Sequence, residues 1–293
     1  MHKKLILEIR ANEYAMRDGN PHVPWTPEEL GAEADACRAA GATIFHFHPR
    51  TPQGAPGLSY DTYHAVMNRI RAGSDILVHA TLGAEQQTPD SSVRLDPIRK
   101  LTEDGLRPDF APLDMGSSNL DLLTEDGTDF ATTETVYINT TRTLRFFAES
   151  LRDLGVKPYP TIWNASQLRL TDVFHRMKIL DGPVWASLTM SEGPAFCSHP
   201  GSLAGLNAYL SLIPDSLPIE WSALVYGGSL LKLAPEVIAR GGHLAIGIGD
   251  YAYPEEGAPT NAELAERVVA MAKDIMGREV ATPDEAREML GMS

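Results

Sequence analysis

Residues 26–50 read TPEELGAEADACRAAGATIFHFHPR, and this stretch contains both kinds of element from which we expect the fold to be built. At 26–29, Thr-Pro-Glu-Glu is a capping box with proline at the first helical position, and Gly41 ends the helix. Residues 43–48 then form a short apolar run rich in β-branched and aromatic side chains, as a buried strand requires. The stretch predicts one helix that leads into one strand.

The same alternation of short apolar runs and amphipathic stretches continues along the chain, which is typical of a parallel sheet covered by helices. There are eight apolar runs, without a long linker or a shift in composition. We therefore predict an α/β fold, a closed (β/α)8 TIM barrel in a single domain over residues 1–293 with a short C-terminal helix, rather than an open doubly wound sheet. The predicted strands are residues 5–12, 43–48, 76–82, 110–115, 160–163, 184–190, 219–226 and 244–249.

The predicted helices carry apolar stripes that assign several side chains to the core. Cys37 follows Leu30 and Ala34 on one helical face, so we expect a buried core thiol rather than a nucleophile. Residues 260–263 and 282–285 resemble the first capping box, and each is expected to begin a helix. The stripe expected on the helix after residue 260 is Leu264, Val268, Met271 and Ile275.

Charge and cysteine usage narrow the classes of function. The net charge is -14 and the pI is near 5.0, which argues against a nucleic-acid or anionic membrane surface and favours a small-molecule substrate. Cys37 and Cys197 are far apart and without a Cys-x-x-Cys spacing, so a reducing cytoplasm is expected. No apolar stretch approaches the roughly 18 residues of a membrane helix.

The strongest chemical signal is His46-Phe47-His48 at the end of the second predicted strand. Side chains two apart on a strand share a face, so both imidazoles can point into the barrel and converge on one cation. Because catalytic groups of such barrels lie at the C-terminal ends of the strands, the pair predicts a metal site, with a hydrogen-bonded polar cluster as the alternative.

A catalytic zinc ion needs a third protein ligand, and three candidates remain open. Glu13, His79 and Asp250 end or line other strands, but they also suit a surface carboxylate, a core histidine and a turn residue respectively. Thr81 shares a face with His79 nearer the rim, where it would hydrogen-bond a bound oxyanion or simply fill the barrel.

Other features of the rim have two interpretations each. Gly227-Gly228-Ser229 follows the seventh strand with Lys232 nearby, and it fits an anion site at a helix N-terminus or a plain tight turn. The long loops 116–134 and 191–202 fit lids over the site or solvated surface loops. His243 precedes the eighth strand, at the opposite end of the barrel, and is expected to be structural.

Six segments together carry a family resemblance: residues 24–29 (PWTPEE), 40–42 (AGA), 46–50 (HFHPR), 241–243 (GGH), Asp250 and 281–287 (ATPDEAR). With these, nearly the whole chain resembles the β-keto acid cleavage enzymes, typified by 3-keto-5-aminohexanoate cleavage enzyme and formerly labelled a domain of unknown function. The resemblance implies a zinc-dependent barrel that needs no organic cofactor beyond CoA and that converts a β-keto acid and acetyl-CoA into acetoacetate and a new acyl-CoA.

The resemblance also assigns roles and suggests a homo-oligomer such as a tetramer. Asp250 would remove a proton from the carbon between the keto and carboxylate groups, and Thr81 stands where the family has a serine that contacts the substrate. The family's arginine and metal-binding glutamate on the eighth strand are replaced here by Ala245 and Gly249. Arg10 and Glu13 are the candidates to supply the missing guanidinium and carboxylate. Thr161 replaces an amine-binding glutamate, which disfavours an amino-substituted substrate.

Two alternatives to an acyl-transferring cleavage enzyme remain at this point. The losses at Ala245 and Gly249 would also fit another zinc-assisted barrel enzyme, such as a hydrolase or an aldolase-type lyase. A small-ligand binder that has kept the barrel and lost the chemistry is the third possibility. Acetoacetate formation from acetyl-CoA and a β-keto acid separates the first reading from the others.

Overall fold

In the computed structural model, which describes residues 3–82 and 91–292, eight parallel strands form a closed barrel. Successive strands pair in chain order, and the eighth pairs with the first. The predicted (β/α)8 barrel is therefore confirmed. The strands are Leu7–Arg10 (β1), Ile44–Phe47 (β2), Leu77–Ala80 (β3), Phe110–Asp114 (β4), Lys157–Ile162 (β5), Val184–Ser191 (β6), Ile219–Tyr226 (β7) and His243–Ile246 (β8).

Helices cover the outside of the barrel and begin where the sequence predicts. Thr26, Thr260 and Thr282 each close a complete capping box, and Gly41 follows the first helix with a positive φ of 102°. The helices are Pro27–Ala39 (α1), Tyr60–Gly73 (α2), Ser91–Glu103 (α3), Thr141–Asp153 (α4), Ala165–Arg176 (α5), Leu203–Leu210 (α6), Ala234–Ala239 (α7), Asn261–Met276 (α8) and Pro283–Met289 (α9).

The helical stripes are confirmed with one exception. Leu30, Ala34 and Cys37 of α1 are buried, as predicted for a core cysteine. In α8 the prediction for Ile275 is wrong, because this side chain is 60% exposed. Residues 273–275 are all exposed, whereas Ala272 is buried and Met276 packs against the core, so Ile275 lies on the side of α8 that faces away from the barrel.

Strand β5 begins three residues before the predicted start because its two prolines do not prevent pairing on one side. Lys157, Tyr159 and Thr161 alternate with Pro158 and Pro160, and all five pair in register with β4. On the other side, pairing with β6 begins only at Thr161. Since proline has no N–H to donate, a strand with two prolines in the same phase loses hydrogen bonds toward one neighbour only.

The two ends of the barrel differ in character. At the N-terminal end an apolar floor is formed inside the barrel, and α9 packs against it. His243 lies at this end, where the Ile6 amide donates to Nδ1 at 2.8 Å and Nε2 contacts Glu220 at 3.2 Å, which agrees with the structural role predicted for it. The floor residues are Ile6, Ile44, Leu77, Phe110, Tyr159 and Trp185.

The two long loops predicted after the fourth and sixth strands meet at the opposite, C-terminal end. Ser118–Asn119 pairs antiparallel with Val136–Tyr137, so the first loop contains a small hairpin and reaches α4. Leu122 bridges to Ala195 of the second loop. Among residues 3–82 and 91–292, no helix has the length and apolarity that crossing a membrane would require.

Candidate active site

His46 and His48 point from β2 into the C-terminal half of the barrel, on the one face that the sequence predicts. Their Nε2 atoms lie 3.1 Å apart. His46 Nδ1 contacts the His79 carbonyl oxygen at 2.9 Å, and because a carbonyl only accepts, Nδ1 must carry the proton. The lone pair of His46 is therefore on Nε2, the atom that faces His48.

Both imidazoles are suited to bind a cation in their neutral form. Burial, followed by the positive charge of Arg10, lowers the pKa of His46 and that of His48 well below the usual value for histidine. Neutral imidazole is the form of histidine that ligates metals. At neutral pH the pair therefore offers two lone pairs rather than two positive charges.

Glu13 brings a carboxylate to the same point from the loop after β1. Glu13 Oε1 lies 3.5 Å from His46 Nε2, and Glu13, His46 and His48 place ligand atoms within 4.8 Å of one another. Both carboxylate oxygens of Glu13 are buried; Oε1 forms an ion pair with Arg10 Nε at 2.9 Å, and Oε2 has no hydrogen-bond partner among the residues that the structure describes. Burial and the neighbouring charge of Asp250 raise the pKa of Glu13 well above its usual range.

Side chain to backbone hydrogen bonds hold the Glu13 loop in place. Asn12 bonds both the amide and the carbonyl of His48, at 2.8 and 2.9 Å, and so joins the ends of β1 and β2. The Arg50 guanidinium donates to the carbonyls of Asn12, Glu13 and Ala15 at 3.0 Å each. These contacts maintain the positive φ of 21° at Glu13.

Gly249 explains why Glu13 can reach the histidines. A Cβ added to Gly249 would lie 1.5 Å from Glu13 Oε2 and 2.7 Å from the Asn12 amide nitrogen. The Glu13 carboxylate therefore fills the volume that a side chain at position 249 would need. The two positions cannot both carry a side chain in this arrangement.

Arg10 lies between the carboxylates of the barrel mouth. Its guanidinium is 2.9 Å from Glu13 Oε1, 3.3 Å from Asp250 Oδ2 and 3.7 Å from Glu8 Oε1. Burial alone would lower the pKa of Arg10, but the contacts with Asp250, Glu13 and Glu8 outweigh it and raise the pKa. The guanidinium is a permanent positive charge at the mouth of the barrel.

Asp250 follows β8 and is almost completely buried. Arg10 Nε donates to Asp250 Oδ2 at 3.3 Å. Burial raises the pKa of Asp250 to about 6, although the Arg10 guanidinium opposes this shift. A carboxylate whose pKa is closer to neutrality is a stronger base than an ordinary aspartate, which suits proton transfer.

His79 and Thr81 lie on the inward face of β3, one above the other. His79 Nδ1 donates to Glu8 Oε1 at 2.7 Å, and Glu8, His46 and His79 form a second group with ligand atoms within 4.8 Å. Thr81 is buried nearer the mouth, and its carbonyl accepts from the Tyr63 hydroxyl at 2.8 Å. Sequence reasoning missed Glu8, although a carboxylate two residues before Arg10 in an apolar strand was a visible signal.

The turn at 227–229 leads from β7 into a short 3-10 helix. Leu230–Lys232 is a three-residue 3-10 helix, and the Gly227 amide donates to the Asp250 carbonyl at 2.9 Å. A Cβ on Gly227 would lie 2.5 Å from the Glu192 carbonyl oxygen, so the glycines allow the loop after β6 to approach closely. The α-helix after this turn, α7, begins only at Ala234, and the anion-binding role of the turn stays a prediction.

A further carboxylate, Asp114 at the end of β4, was not singled out from the sequence. Its Oδ1 accepts from Trp163 Nε1 at 2.8 Å and its Oδ2 from the Tyr137 hydroxyl at 2.9 Å. Trp163 in turn contacts the ring of Tyr226 edge-on at 6.3 Å. The rim opposite the histidines is therefore aromatic with one fixed carboxylate, and Thr161 pairs in register beside Asp114.

Comparison with known proteins places this site within a family. The family model described as beta-keto acid cleavage enzyme matches residues 4–292. The 3-keto-5-aminohexanoate cleavage enzyme of Acetoanaerobium sticklandii is 30% identical over 296 residues, which cover 100% of both chains. The 3-dehydrocarnitine:acetyl-CoA trimethylamine transferase of Rhizobium meliloti is 26% identical over 292 residues, covering 93% of this chain and 91% of the relative.

Among solved structures, the apo structure of ObcA matches with a TM-score of 0.74 at 15% sequence identity. The match covers 93% of this chain and 66% of ObcA, and at this identity it supports the barrel fold alone. The family match over residues 4–292 carries the assignment. The chain belongs to the β-keto acid cleavage enzyme family.

Proposed function

We propose that the protein is a metal-dependent enzyme that converts a β-keto acid and acetyl-CoA into acetoacetate and a new acyl-CoA. Family membership supports the reaction class, and the name of the Rhizobium meliloti relative supports acetyl-CoA as the second substrate. The observation that carries the metal is the convergence of His46, His48 and Glu13, whose buried carboxylate faces the imidazoles and has Oε2 without a hydrogen bond in the described part of the chain.

The donor set and the local charge both fit Zn²⁺. Two neutral imidazole nitrogens and one carboxylate oxygen leave an open position for substrate, as catalytic zinc sites require. Around them, three carboxylates face one guanidinium, which is an excess of two negative charges when Glu8, Glu13 and Asp250 are ionised. A divalent cation would balance this excess, which burial would otherwise make costly.

When bound by Glu13, His46 and His48, zinc would supply Lewis acidity that acidifies the carbon between the keto and carboxylate groups. Arg10 would pair with the substrate carboxylate, and the Thr81 side chain would orient it. Asp250 would accept the proton from the acidified carbon, for which its pKa of about 6 is suited.

The remaining steps exchange acyl groups. The carbanion left by deprotonation attacks the acetyl thioester and expels CoA thiolate, which then attacks the original keto carbon. Cleavage of the adjacent carbon–carbon bond forms the new acyl-CoA, and the acetoacetate carbanion takes the proton back from Asp250. We propose that the 227–229 turn contacts CoA, because the Gly227 amide bonds the Asp250 carbonyl and Lys232 is exposed nearby.

The test is to load purified protein with zinc, add acetyl-CoA and a panel of β-keto acids, and measure acetoacetate and acyl-CoA. We expect products with at least one acid, and loss of both zinc and activity in the double variant His46→Ala, His48→Ala. The variant His64→Ala is the matched control, because His64 lies on α2, and its hydrogen bonds within the described residues go to Asn68. Undiminished zinc in the double variant would refute the metal assignment.

The same experiment addresses the alternative functions. Cleavage of a keto acid without acetyl-CoA would indicate a hydrolase or an aldolase-type lyase, and binding without turnover of any acid would indicate a non-catalytic protein. These alternatives follow from Ala245 and Gly249, which stand where the resemblance implies an arginine and a metal-binding glutamate. The position of Glu13 in the volume next to Gly249 supports retained chemistry instead.

We also propose that the enzyme is a cytoplasmic homo-oligomer, such as a tetramer. Apolar side chains are exposed along the loops of the C-terminal rim, where Phe130 and Phe196 contact each other at 5.8 Å and are about half exposed. Exposed apolar patches of this kind are typical of interfaces. Both cysteines are free, which supports a reducing compartment. Light scattering after size exclusion measures the mass, and a monomer would refute the assembly.

A further inference from the structure

Glu8 is a fully buried carboxylate that the reaction outlined above does not use. It lies on the inward face of β1, one layer below Arg10, and its relative exposure is 0%. One oxygen, Oε1, contacts His79 Nδ1 at 2.7 Å and Arg10 Nη1 at 3.7 Å. The other, Oε2, has no hydrogen-bond partner within the described ranges. A buried charge of this kind costs free energy unless opposite charges and hydrogen bonds compensate for the lost hydration.

Through His79, Glu8 is connected to the metal-facing histidine. Its carboxylate accepts from the His79 ring, and the carbonyl of the same residue accepts from His46 Nδ1 at 2.9 Å. The rings of His79 and His46 also pack together, with centroids 4.2 Å apart. Fixing the His79 ring therefore restrains both the orientation and the tautomer of His46, whose Nε2 faces Glu13 and His48.

Through Arg10, Glu8 also influences the carboxylate ligand. The Arg10 guanidinium is shared between Glu8 below and Glu13 above, at 3.7 and 2.9 Å. Removal of the Glu8 charge would leave Arg10 to the two upper carboxylates, Glu13 and Asp250. A guanidinium that pairs more strongly with Glu13 competes with a cation for the same oxygens.

We infer that Glu8 is a positioning residue that, together with His79, raises the affinity of the Glu13–His46–His48 site for a divalent cation. This inference rests on the proposed function, since it assumes that the three residues bind metal. Groups that orient metal ligands from behind commonly contribute about 10-fold to 100-fold in metal affinity. Glu8 adds negative charge to the same effect, since its carboxylate lies within 4.8 Å of a His46 ring nitrogen.

The geometry favours support over a second metal site at Glu8 and His79. A cation between them would have to replace their 2.7 Å hydrogen bond. His46 Nδ1 carries a proton, and the lone pair on His46 Nε2 already faces His48 and Glu13, so a second cation would have to share that nitrogen with the first site. One equivalent of metal per chain is therefore expected.

The barrel contains a second glutamate–histidine pair that serves as a matched control. Glu220 contacts His243 Nε2 at 3.2 Å at the N-terminal end, away from the metal-facing histidines. We would measure zinc affinity of the full-length apoprotein by competition with a chromogenic chelator. Relative to wild type, Glu8→Gln should bind zinc about 10-fold to 100-fold more weakly, while Glu220→Gln should be unchanged. The Co²⁺ absorption spectrum should shift in Glu8→Gln only.

A second variant protects the test against misfolding. His79→Gln should weaken zinc binding to a similar extent, and the double variant Glu8→Gln, His79→Gln should be no weaker than either, because coupled groups act as one unit. Circular dichroism and thermal unfolding identify a variant that fails to fold, in which case the other single variant carries the comparison.

The outcomes separate this inference from the function beneath it. Zinc binding by wild type with equal affinity in Glu8→Gln or His79→Gln would overturn the positioning role and leave the metal site intact. Two equivalents of zinc in wild type, reduced to one by Glu8→Gln, would also overturn it in favour of a second site. No zinc binding by wild type would refute the metal assignment, and the positioning role with it.

Discussion

At the scale of single residues, the site depends on one volume between two strand ends, which only one side chain can occupy. Glu13 on the loop after β1 occupies the volume beside Gly249 on the segment after β8. The Glu13 carboxylate, which comes from the loop after β1, thus reaches His46 on β2 and His48 directly after it. The absence of a side chain at position 249 is a condition for the site rather than a loss.

Substitution of Gly249 tests directly whether Glu13 needs this volume. In Gly249→Ala the new Cβ would lie 1.5 Å from Glu13 Oε2, so the carboxylate must move away from His46. We expect zinc affinity to fall at least about 10-fold, as for other changes that displace metal ligands. Gly19→Ala is the control, because its Cβ would meet only Ala252 Cβ at an ordinary 3.4 Å. Equal zinc affinity in Gly249→Ala would contradict this account of Glu13.

The role of Asp250 as base is tested by a change that keeps its size. Asp250→Asn should lower kcat by about 100-fold to 10,000-fold, the usual contribution of a general base, while zinc content stays as in wild type. Asp284→Asn, on the exposed end of α9, should turn over normally. Full activity of Asp250→Asn would assign proton transfer to another group.

At the scale of elements, α1 and β2 show how local sequence signals place His46 and His48 at the C-terminal mouth of the barrel. The capping box at Thr26 begins α1, and after Gly41 the chain enters β2 with His46 facing inward. The first strand shows the opposite case, since the partners of Glu8, Arg10 and Glu13 include residues on β2 and β3 and in the segment after β8.

The contribution of the first capping box should be visible in unfolding. Thr26→Ala removes the side chain that accepts from the Glu29 amide, and we expect a loss of about 1 kcal/mol in the free energy of unfolding. Thr102→Ala, in the last turn of α3, removes only a bond to a carbonyl within the helix and is the control. Urea unfolding of both variants measures the difference, and equal midpoints would refute the cap's contribution.

At the scale of the whole molecule, the barrel separates chemistry from stability. The C-terminal mouth contains the proposed cation site and its carboxylates, whereas the N-terminal floor is apolar and closed by α9. His243 is the titratable group that links this floor to pH. It is buried beside Glu220, with Lys3 and Arg278 as the other charged neighbours, and burial lowers its pKa to about 4.

This lowered pKa predicts how stability changes in mild acid. Between pH 6.5 and 4 the unfolded chain binds a proton at His243 that the folded chain excludes, so stability is full above this window and falls as pH decreases. The expected loss between pH 7 and pH 5 is about 2 kcal/mol. His243→Gln should remove this part of the pH dependence, whereas His64→Gln should retain it. Urea unfolding at several pH values would contradict the prediction if both variants declined alike.

Sequence alone determined the barrel, the capped helices and the inward pair His46 and His48, because these features depend on periodicity and on signals within a few residues. It mistook the start of β5, since the tolerance of Pro158 and Pro160 depends on which neighbour each missing N–H would face. It also placed Ile275 in the core, although the buried stripe of α8 continues from Val268 to Ala272, and only the packed structure shows which face the helix buries.

Only the tertiary structure showed which carboxylate lies beside His46 and His48 at the proposed cation site. The sequence left Glu13, His79 and Asp250 open as third donors, because residues of β1, β3 and β8 meet only when the barrel closes. Closure brings the Glu13 carboxylate to His46. It also allows His79 to hydrogen-bond Glu8 and Asp250 to hydrogen-bond Arg10. Strand periodicity fixes which face a side chain takes, whereas its partners depend on register and on the volume left by a neighbour such as Gly249.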